Sequence, residues 1–412
     1  MKNGSSVDHT TMRAMNTALI LNTLHQHAPL SRAGIAQHTG LNKASVSSMI
    51  RELIASGMVE EVGTISKTSD IGRPGINLRL NSEVGYIISA EIGADFISVV
   101  AVNFALEVVT RRYINVPDDP DYDTMMDYLI ANLRDVHGQV RRQDKPILAI
   151  ALGVPGMVDM QAGRLLFAPN LGWRDLPLKQ IIQRHFDVPV FLANEANMAA
   201  LGESYLGTAP DSRLLLYVSS GIGLGGGIVI NGQLLTGING FAGEFGHMTV
   251  ARNGLPCRCG NVGCWETEAT QLALFRRIRE ALSDGRDSIL RQTNPNGVLT
   301  TEDVVYAAEN GDTIAQTALV DTGHWIGVGI ANLIKALNPE HVVFGGKMAL
   351  AHDFLMPAIR EAITKNTFAW MQEHTHLSIA THIEDACVMG GAAMVHRQIV
   401  NNPNGWLTST EG

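Results

Sequence analysis

The stretch LLLYVSSGIGLGGGIVI, residues 214–230, is the most apolar part of the chain. Ser219, Ser220 and a run of glycines interrupt it, so it lacks the roughly 20 mostly apolar residues that a membrane-spanning helix needs. Its two apolar halves are typical of β-strands, and the glycines between them predict a loop whose bare backbone N–H groups can face an anion or a sugar. A glycine loop alone is weak evidence, because most such loops only turn the chain.

Strands and helices alternate on both sides of this loop. Apolar and β-branched runs predict strands at residues 86–90, 97–103, 147–153, 190–193, 214–218, 226–230 and 342–344. Helical spacing predicts helices at residues 122–141, 197–206, 272–283, 315–337 and 355–366. Interleaved strands and helices indicate an α/β fold from Gly85 onward, and no internal repeat is visible in the sequence.

The first 80 residues have a different pattern, which predicts three helices and a hairpin. Apolar residues recur at helical spacing over residues 12–27, Ser31 is a suitable N-cap for a short helix through residue 38, and Asn42 caps a third helix. Gly57 lies where a helix C-terminal glycine belongs. Residues 58–62 and 76–80 then predict the two strands of a wing. A short helix, a glycine turn and a second helix are the helix-turn-helix arrangement, so this segment is interpreted as a winged helix-turn-helix domain.

The third helix and the wing loop offer polar and basic side chains that can contact base edges and phosphates. These candidate DNA contacts are Asn42, Lys43, Ser45, Ser47, Ser48, Arg51 and, in the wing loop, Arg73. Residues 1–80 contain eight basic and five acidic residues, a net charge of +3, so the rest of this chain of net charge −9 carries −12. A basic head on an acidic body favours operator DNA as a partner. The alternative is a small helical dimerisation module.

Three of the four cysteines lie within eight positions, in CRCGNVGC at residues 257–264. The chain starts without the basic-then-apolar pattern of a signal peptide, so we expect a cytoplasmic protein with no membrane partner, and in a reducing compartment clustered cysteines favour a metal over a disulfide. Zinc takes four tetrahedral N or S ligands, and His247 is the best fourth partner for Cys257, Cys259 and Cys264. Four protein ligands leave no open position, so the predicted zinc is structural; the alternative is a set of free cysteines.

Carboxylates and amides also occur at the ends of predicted strands and in the loops near them. They are Asn170, Asn194, Glu195, Glu244 and Glu266. Sugar ligands need such planar groups, which fork onto adjacent hydroxyls. Any single one is more often a solvated side chain or a helix cap, so the hypothesis depends on their occurring together.

Seven motifs occur in order along the body of the chain. They are GVPGMVD (153–159), PNLGW (169–173), NEANMAALGE (194–203), SSGIGLGGGIVING (219–232), GEFGHM (243–248), CRCGNVGCWE (257–266) and VVFGG (342–346). Together they resemble the ROK family of repressors, open reading frames and sugar kinases, over roughly residues 83–400. GRPGINLRLN, residues 72–81, is similar to the segment that joins head to body in the family's repressor branch, especially the xylose repressors.

The resemblance implies a two-lobed, actin-like α/β sugar-kinase fold behind the winged helix-turn-helix of residues 1–80. The small lobe would span residues 81–193, completed by residues 388–405, and the large lobe residues 194–387, with the zinc site and the sugar cleft. Carried over residue by residue, the sugar contacts would be Asn170, Asn194, Glu195, Glu244, His247 and Glu266, with Gly156 nearby. One ring nitrogen of His247 would then ligate zinc while the other faces a sugar hydroxyl.

Two departures from the family's kinases predict that no catalytic residue remains. Where kinases carry an Asp-x-Gly-Gly-Thr loop for the ATP phosphates, this chain has EIGADF at residues 91–96, and the carboxylate of Asp95 would repel phosphate. Where kinases carry an aspartate as base, this chain has the longer Glu195, and phosphoryl transfer is sensitive to position.

The sequence therefore predicts a sugar-responsive repressor, a homodimer or homotetramer, that binds xylose or a related monosaccharide without phosphorylating it. The main alternative is an active ATP-dependent sugar kinase with an appended DNA-binding head. A third is a sugar-independent repressor with a vestigial body, which the retained Glu244, His247 and Glu266 disfavour.

Overall fold

The computed structural model describes residues 9–64, 76–116, 120–210, 212–293, 297–403 and 406. Its N-terminal head consists of α1 (His9–His27), β1 (Leu30–Ser31), α2 (Arg32–Thr39), α3 (Lys43–Ala55), β2 (Val59–Thr64) and β3 (Ile76–Leu80). The predicted caps form: Ser31 Oγ accepts from Gly34 N at 3.2 Å and Asn42 Oδ1 accepts from Ser45 N at 2.8 Å. Gly57, with φ of +76°, follows the last residue of the α3 cap. The three strands form one sheet in the order β1-β3-β2, which gives the head its winged helix-turn-helix form.

The first lobe of the body is built on a five-stranded sheet. Its elements are β4 (Tyr86–Ile92), β5 (Phe96–Asn103), β6 (Val108–Asn115), α4 (Tyr122–Arg141), β7 (Ile147–Val154), β8 (Met157–Asp159), β9 (Arg164–Ala168), β10 (Trp173–Leu176), α5 (Leu178–Gln183) and β11 (Val190–Asn194). The strand order is β11-β7-β4-β5-β6, and β8, β9 and β10 form a separate small sheet. Helix α4 packs on the sheet through an apolar face that includes Met125, Leu129 and Leu133.

The second lobe repeats this topology. Its elements are α6 (Glu195–Leu206), β12 (Leu214–Ser220), β13 (Leu224–Ile230), β14 (Gln233–Leu234), α7 (Glu266–Ala269), α8 (Gln271–Ser283), α9 (Leu290–Thr293), α10 (Thr301–Glu309), α11 (Thr313–Leu337), β15 (His341–Gly345), α12 (His352–Asn366), α13 (Ala369–Gln372) and β16 (His376–Ile379). Helix α14 (Ala386–Asn401) follows in the sequence and returns to the first lobe. The sheet order is β14-β13-β12-β15-β16. In each lobe three antiparallel strands are followed by two parallel ones, so the two sheets correspond strand by strand. This duplicated topology is that of the expected two-lobed fold, although the sequence shows no repeat.

Helices α6 and α14 pack against each other and join the two lobes to the head. Helix α14, which contains most of residues 388–405, packs on β4 and β7 of the first lobe, while α6 also packs on β12 and β13 of the second. Helix α1 of the head packs on α14, and apolar residues of head and body form one continuous core. Within the described ranges no helix is both long and apolar enough to cross a bilayer.

The predicted elements are present, with ends that differ by at most three residues. Strands β1, β6, β8, β9, β10, β14 and β16 and helices α5, α7, α9, α10, α13 and α14 had not been predicted. Helix α14 was not predicted because it is buried on nearly all sides and so lacks the polar face that marks an amphipathic helix.

Candidate functional site

Two of the predicted sugar contacts lie at the start of α6. Asn194 ends β11 and caps the helix, with Oδ1 accepting from the backbone N–H groups of Ala196 at 2.9 Å and Asn197 at 3.1 Å. Its Nδ2 donates to the Gly156 carbonyl at 3.1 Å and to Glu195 Oε2 at 2.7 Å. A strand end, a glycine turn and a helix N-terminus therefore hold both side chains in fixed positions.

The other four predicted contacts are close to one another beside the glycine loop between β12 and β13. His247 Nε2 is 3.8 Å from Glu244 Oε2, and His247 Nδ1 is 3.6 Å from Glu266 Oε1. A Cβ on Gly223 of the glycine loop would be 3.0 Å from Asn170 Nδ2 and 3.8 Å from Glu266 Oε2. Two residues further along the chain, a Cβ on Gly225 would be 3.6 Å from Glu195 Oε1. Asn170, Glu195 and Glu266 thus border the glycine loop. Asn194, Glu244 and His247 lie against these three side chains or against one another, and each of the six is partly buried.

Three carboxyl groups of this cleft have pKa values raised toward their neutral forms. Burial raises the pKa of Glu195 well above its usual value, and the nearby carboxylates of Glu91 and Glu244 raise it further. Burial likewise raises the pKa of Glu91 to about 8 and the pKa of Glu244. A neutral carboxyl group can donate one hydrogen bond as well as accept others. At these three positions the cleft can offer donors as well as acceptors, which suits an uncharged polyol.

His247, Cys257, Cys259 and Cys264 come together as the sequence predicted, and their ligand atoms all lie within 4.8 Å of one another. Sγ of Cys259 is 3.7 Å from Sγ of Cys264, and Nδ1 of His247 is 3.7 Å from Sγ of Cys257. Tetrahedral zinc bound at about 2.0–2.3 Å separates its ligand atoms by about 3.5–3.8 Å. The cluster therefore fits zinc, with Nδ1 of His247 as the ligand atom and Nε2 directed toward Glu244.

Glu266 connects this metal cluster to the cleft. Its Oε1 accepts a hydrogen bond from the Cys257 thiol at 2.8 Å, while Oε2 faces the glycine loop. Zinc binds thiolates, which have no proton to donate. With Cys257 ligating a metal, both oxygens of Glu266 would be left to accept hydrogen bonds from a ligand.

Across the cleft, Asp95 and Lys347 connect the turn after β4 with the turn after β15. Lys347 Nζ donates to Asp95 Oδ2 at 3.4 Å and lies 5.4 Å from the centroid of the Phe96 ring. The positive charge of Lys347 therefore offsets the negative charge of Asp95, which alone would repel phosphate. The pair therefore bridges the first lobe, at the turn between β4 and β5, to the second lobe, at the turn after β15, and Phe96 lies beside it.

The candidate DNA contacts lie on the outer face of α3. Asn42, Lys43 and Arg51 are exposed, and Ser45, Ser47 and Ser48 are partly exposed. Two of these groups are also used within the helix, since Asn42 caps it and Ser47 Oγ donates to the Lys43 carbonyl at 2.8 Å. Arg73 and its wing loop lie outside the described residues. The apolar side of α3, with Val46 and Ile50 fully buried, faces the head's core.

Sequence reasoning missed three residues of the cleft. Lys347 reaches Asp95 from 252 positions away, and no local pattern marks that pairing. Arg258, between the candidate zinc ligands Cys257 and Cys259, places Nη1 3.5 Å from Asn170 Oδ1. Glu91 could have been found, because it begins the same EIGADF segment in which we singled out Asp95.

Comparisons with known proteins agree with this geometry. A model of the ROK family matches residues 87–398, and a model of the MarR family matches residues 14–64. A xylose repressor of Caldicellulosiruptor bescii is 34% identical over 397 residues, which cover 96% of this chain and 99% of that repressor. A glucokinase of Halalkalibacterium halodurans is 35% identical over 316 residues, which cover 76% of this chain and 96% of the glucokinase.

A solved structure matches the whole chain. It is a ROK family transcriptional regulator, a homologue of the E. coli MLC protein, with a TM-score of 0.80 and 27% identity over 97% of this chain and 98% of that one. These two regulators match both head and body, whereas the glucokinase covers three quarters of the chain.

Proposed function

The chain belongs to the ROK family, and from that membership we propose that it is a sugar-responsive transcriptional repressor, with operator DNA bound by the head and a monosaccharide by the body. The observation that carries the proposal is the combination of a winged helix-turn-helix head with a cleft where six polar side chains gather beside one glycine loop. Full-length similarity to regulators supports it. The effector is xylose or a related monosaccharide.

The sugar contacts in this proposal are the six side chains of the cleft. Planar carboxyl and amide groups fork onto neighbouring hydroxyls, and the half-buried positions of these groups limit competition from water. The name of the C. bescii relative supports xylose as the first candidate. The DNA contacts are the exposed polar and basic residues of α3, together with Arg73 of the wing.

The test measures DNA binding and sugar binding on the same protein. Footprinting across the protein's own promoter region should show a protected inverted repeat, as expected for a symmetric dimer or tetramer. Calorimetry with xylose, glucose and N-acetylglucosamine should give heat with one of them, and that sugar should change operator affinity. Glu244→Ala should abolish the response at ordinary sugar concentrations, whereas Glu309→Ala, an exposed glutamate on α10, should leave it intact. A protein with no protected site would contradict the repressor proposal.

We propose one structural zinc per chain, held by His247, Cys257, Cys259 and Cys264. Zinc would keep the ring of His247 in one tautomer and aim Nε2 at the cleft. We also propose three functional units: residues 1–80 for DNA, residues 81–193 with 388–405 as the small lobe, and residues 194–387 as the large lobe.

Absence of turnover is part of the proposal. The Lys347–Asp95 pair bridges the two lobes between the turn after β4 and the turn after β15, and Glu195 extends one methylene beyond an aspartate. The alternative, an active sugar kinase, is supported by the similarity to a glucokinase. Incubation with ATP, magnesium and the bound sugar distinguishes the two, since ADP release on the order of 1–100 per second would make the protein a kinase.

A further inference from the structure

The first turn of α6 is part of the candidate sugar site. Asn194 caps the helix through two backbone N–H groups, and its amide also holds Glu195. A ligand that engages either side chain therefore acts directly on the end of this helix. A coupling element needs such a differential contact with the ligand at one end.

The packing of helix α6 favours its movement as a rigid unit. Nine consecutive residues, from Ala196 to Ser204, are buried, so the helix has packing partners on all sides. A Cβ on Gly202 would be 2.8 Å from the Gly390 Cα, and a Cβ on Gly390 would be 1.8 Å from the Met198 carbonyl oxygen. This close backbone crossing interlocks α6 with α14. Twelve residues of α-helix span about 18 Å, which carries a displacement well away from the cleft.

The far end of α6 contacts the DNA-binding head. The ring of Tyr205 stacks on the ring of His25 of α1, with centroids 4.3 Å apart and planes at 11°. The Tyr205 hydroxyl is 3.0 Å from Nδ1 of His396, a fully buried histidine of α14. The rings of His25 and His396 are 5.0 Å apart, so helices α1, α6 and α14 meet in one aromatic cluster.

Helix α1 in turn supports the helix that carries the candidate DNA contacts. Arg13 forms an ion pair with Glu52 of α3, and Thr17 Oγ1 is 3.8 Å from Sδ of Met49 on α3. A shift of α1 relative to the body therefore changes the position of α3.

We propose that helix α6 couples the sugar cleft to the DNA-binding head, and that it acts on the head through the stack of Tyr205 on His25. This inference rests on the proposed function, since it needs a sugar that binds the cleft and an operator that binds the head. Tyr205 is then a positioning residue that touches neither ligand.

His25→Ala tests the contact, and the chain supplies a matched control on the same helix. His27 stacks on His38 with centroids 4.6 Å apart, but both residues belong to the head. His27→Ala therefore removes a comparable stack without touching the body. The readouts are the dissociation constant for xylose by calorimetry and the ratio of operator dissociation constants with and without saturating xylose.

For His25→Ala we expect that ratio to move toward 1 by about 2- to 30-fold, with a xylose dissociation constant within about threefold of the native value. His27→Ala should keep the native ratio. Tyr205→Leu should behave like His25→Ala, and the double variant should lose no more than either single one, because the two side chains form one contact.

A native ratio in His25→Ala, or an equal loss in His27→Ala, would overturn the inference. A native protein that binds xylose and operator with no effect of one on the other overturns the proposed sugar response, and this inference with it. The first pair of outcomes leaves the repressor function standing, so the two failures are distinguishable.

Discussion

Acidification should weaken the protein through His396, a histidine that is 0% exposed. Burial lowers its pKa to about 3, and the nearby His25 contributes to the lowering. In the unfolded chain a histidine has a pKa near 6.5, so between pH 6.5 and 3 the unfolded state binds a proton that the native state does not. Stability is therefore complete above pH 6.5 and is lost as the pH falls below it.

The size of the loss follows from the pH interval. From pH 6.5 to pH 5 is 1.5 units at about 1.36 kcal/mol each, or about 2 kcal/mol. The value depends little on the native pKa as long as that pKa is well below 5. His396 is enclosed by the Phe104 ring at 4.7 Å, the Tyr205 hydroxyl at 3.0 Å and the His25 ring at 5.0 Å. None of these is a carboxylate that could stabilise the charged imidazole.

The assay is urea unfolding at pH 8 and pH 5, with each transition fitted separately because a chain of several domains need not unfold in one step. His396→Gln should start less stable at pH 8, because it alters a packed site. Its further loss between pH 8 and pH 5 should be smaller than the native loss by about 2 kcal/mol. His374→Gln, at an exposed histidine, is the control and should follow the native protein. Equal losses in native and His396→Gln would refute the reasoning.

Three further predictions concern the metal cluster, the head and α6. Cys259→Ser should lower both thermal stability and sugar affinity, and metal analysis after dialysis against a chelator should find about one zinc per chain in the native protein; full sugar binding with no zinc would contradict it. Lys43→Ala and Arg51→Ala should each weaken operator binding, and where the lost contact is to a phosphate, the salt dependence of binding should fall by about one ion. Lys365→Ala on α12, far from the proposed DNA contacts, is the control and should leave operator binding unchanged. Glu203→Ala should lower the free energy of unfolding by about 1–3 kcal/mol, because the buried carboxylate accepts from a backbone N–H at 2.7 Å, and Glu203→Gln should lose less in the same urea assay.

The local elements could be predicted because their patterns are local. Helix α4 begins and ends at the predicted residues, since its apolar face repeats at helical spacing and Asp121 caps it. The edge strand β6 was missed because it is largely exposed and carries Arg111 and Arg112 where a buried strand would be apolar. The duplicated topology was missed because corresponding strands of the two sheets share apolar character but no common motif.

Part of the candidate site also follows from local sequence, and the rest depends on how the folded chain packs. Asn194, Glu195 and the cysteine cluster could be predicted, because the end of a strand and a short cysteine spacing each fix where the side chains lie. The approach of Lys347 to Asp95 and of Arg258 to Asn170 depends on how the lobes and loops pack, and no spacing in the sequence records that. The stack of His25 on Tyr205 is of the same kind, since the two residues lie in different domains.

The proposal of binding without turnover is supported more firmly by the folded cleft than by the sequence. Asp95 alone would repel phosphate, but Lys347 balances that charge. The stronger reason is geometric: the ion pair bridges the turn after β4 of the first lobe and the turn after β15 of the second, with Phe96 beside it, and a phosphate donor bound between these turns would have to displace the pair. The polar groups around the glycine loop remain available on the other side, held by α6 and by the metal cluster. A sugar held there and not consumed can persist long enough to shift the equilibrium between head positions, which is what regulation by a ligand requires.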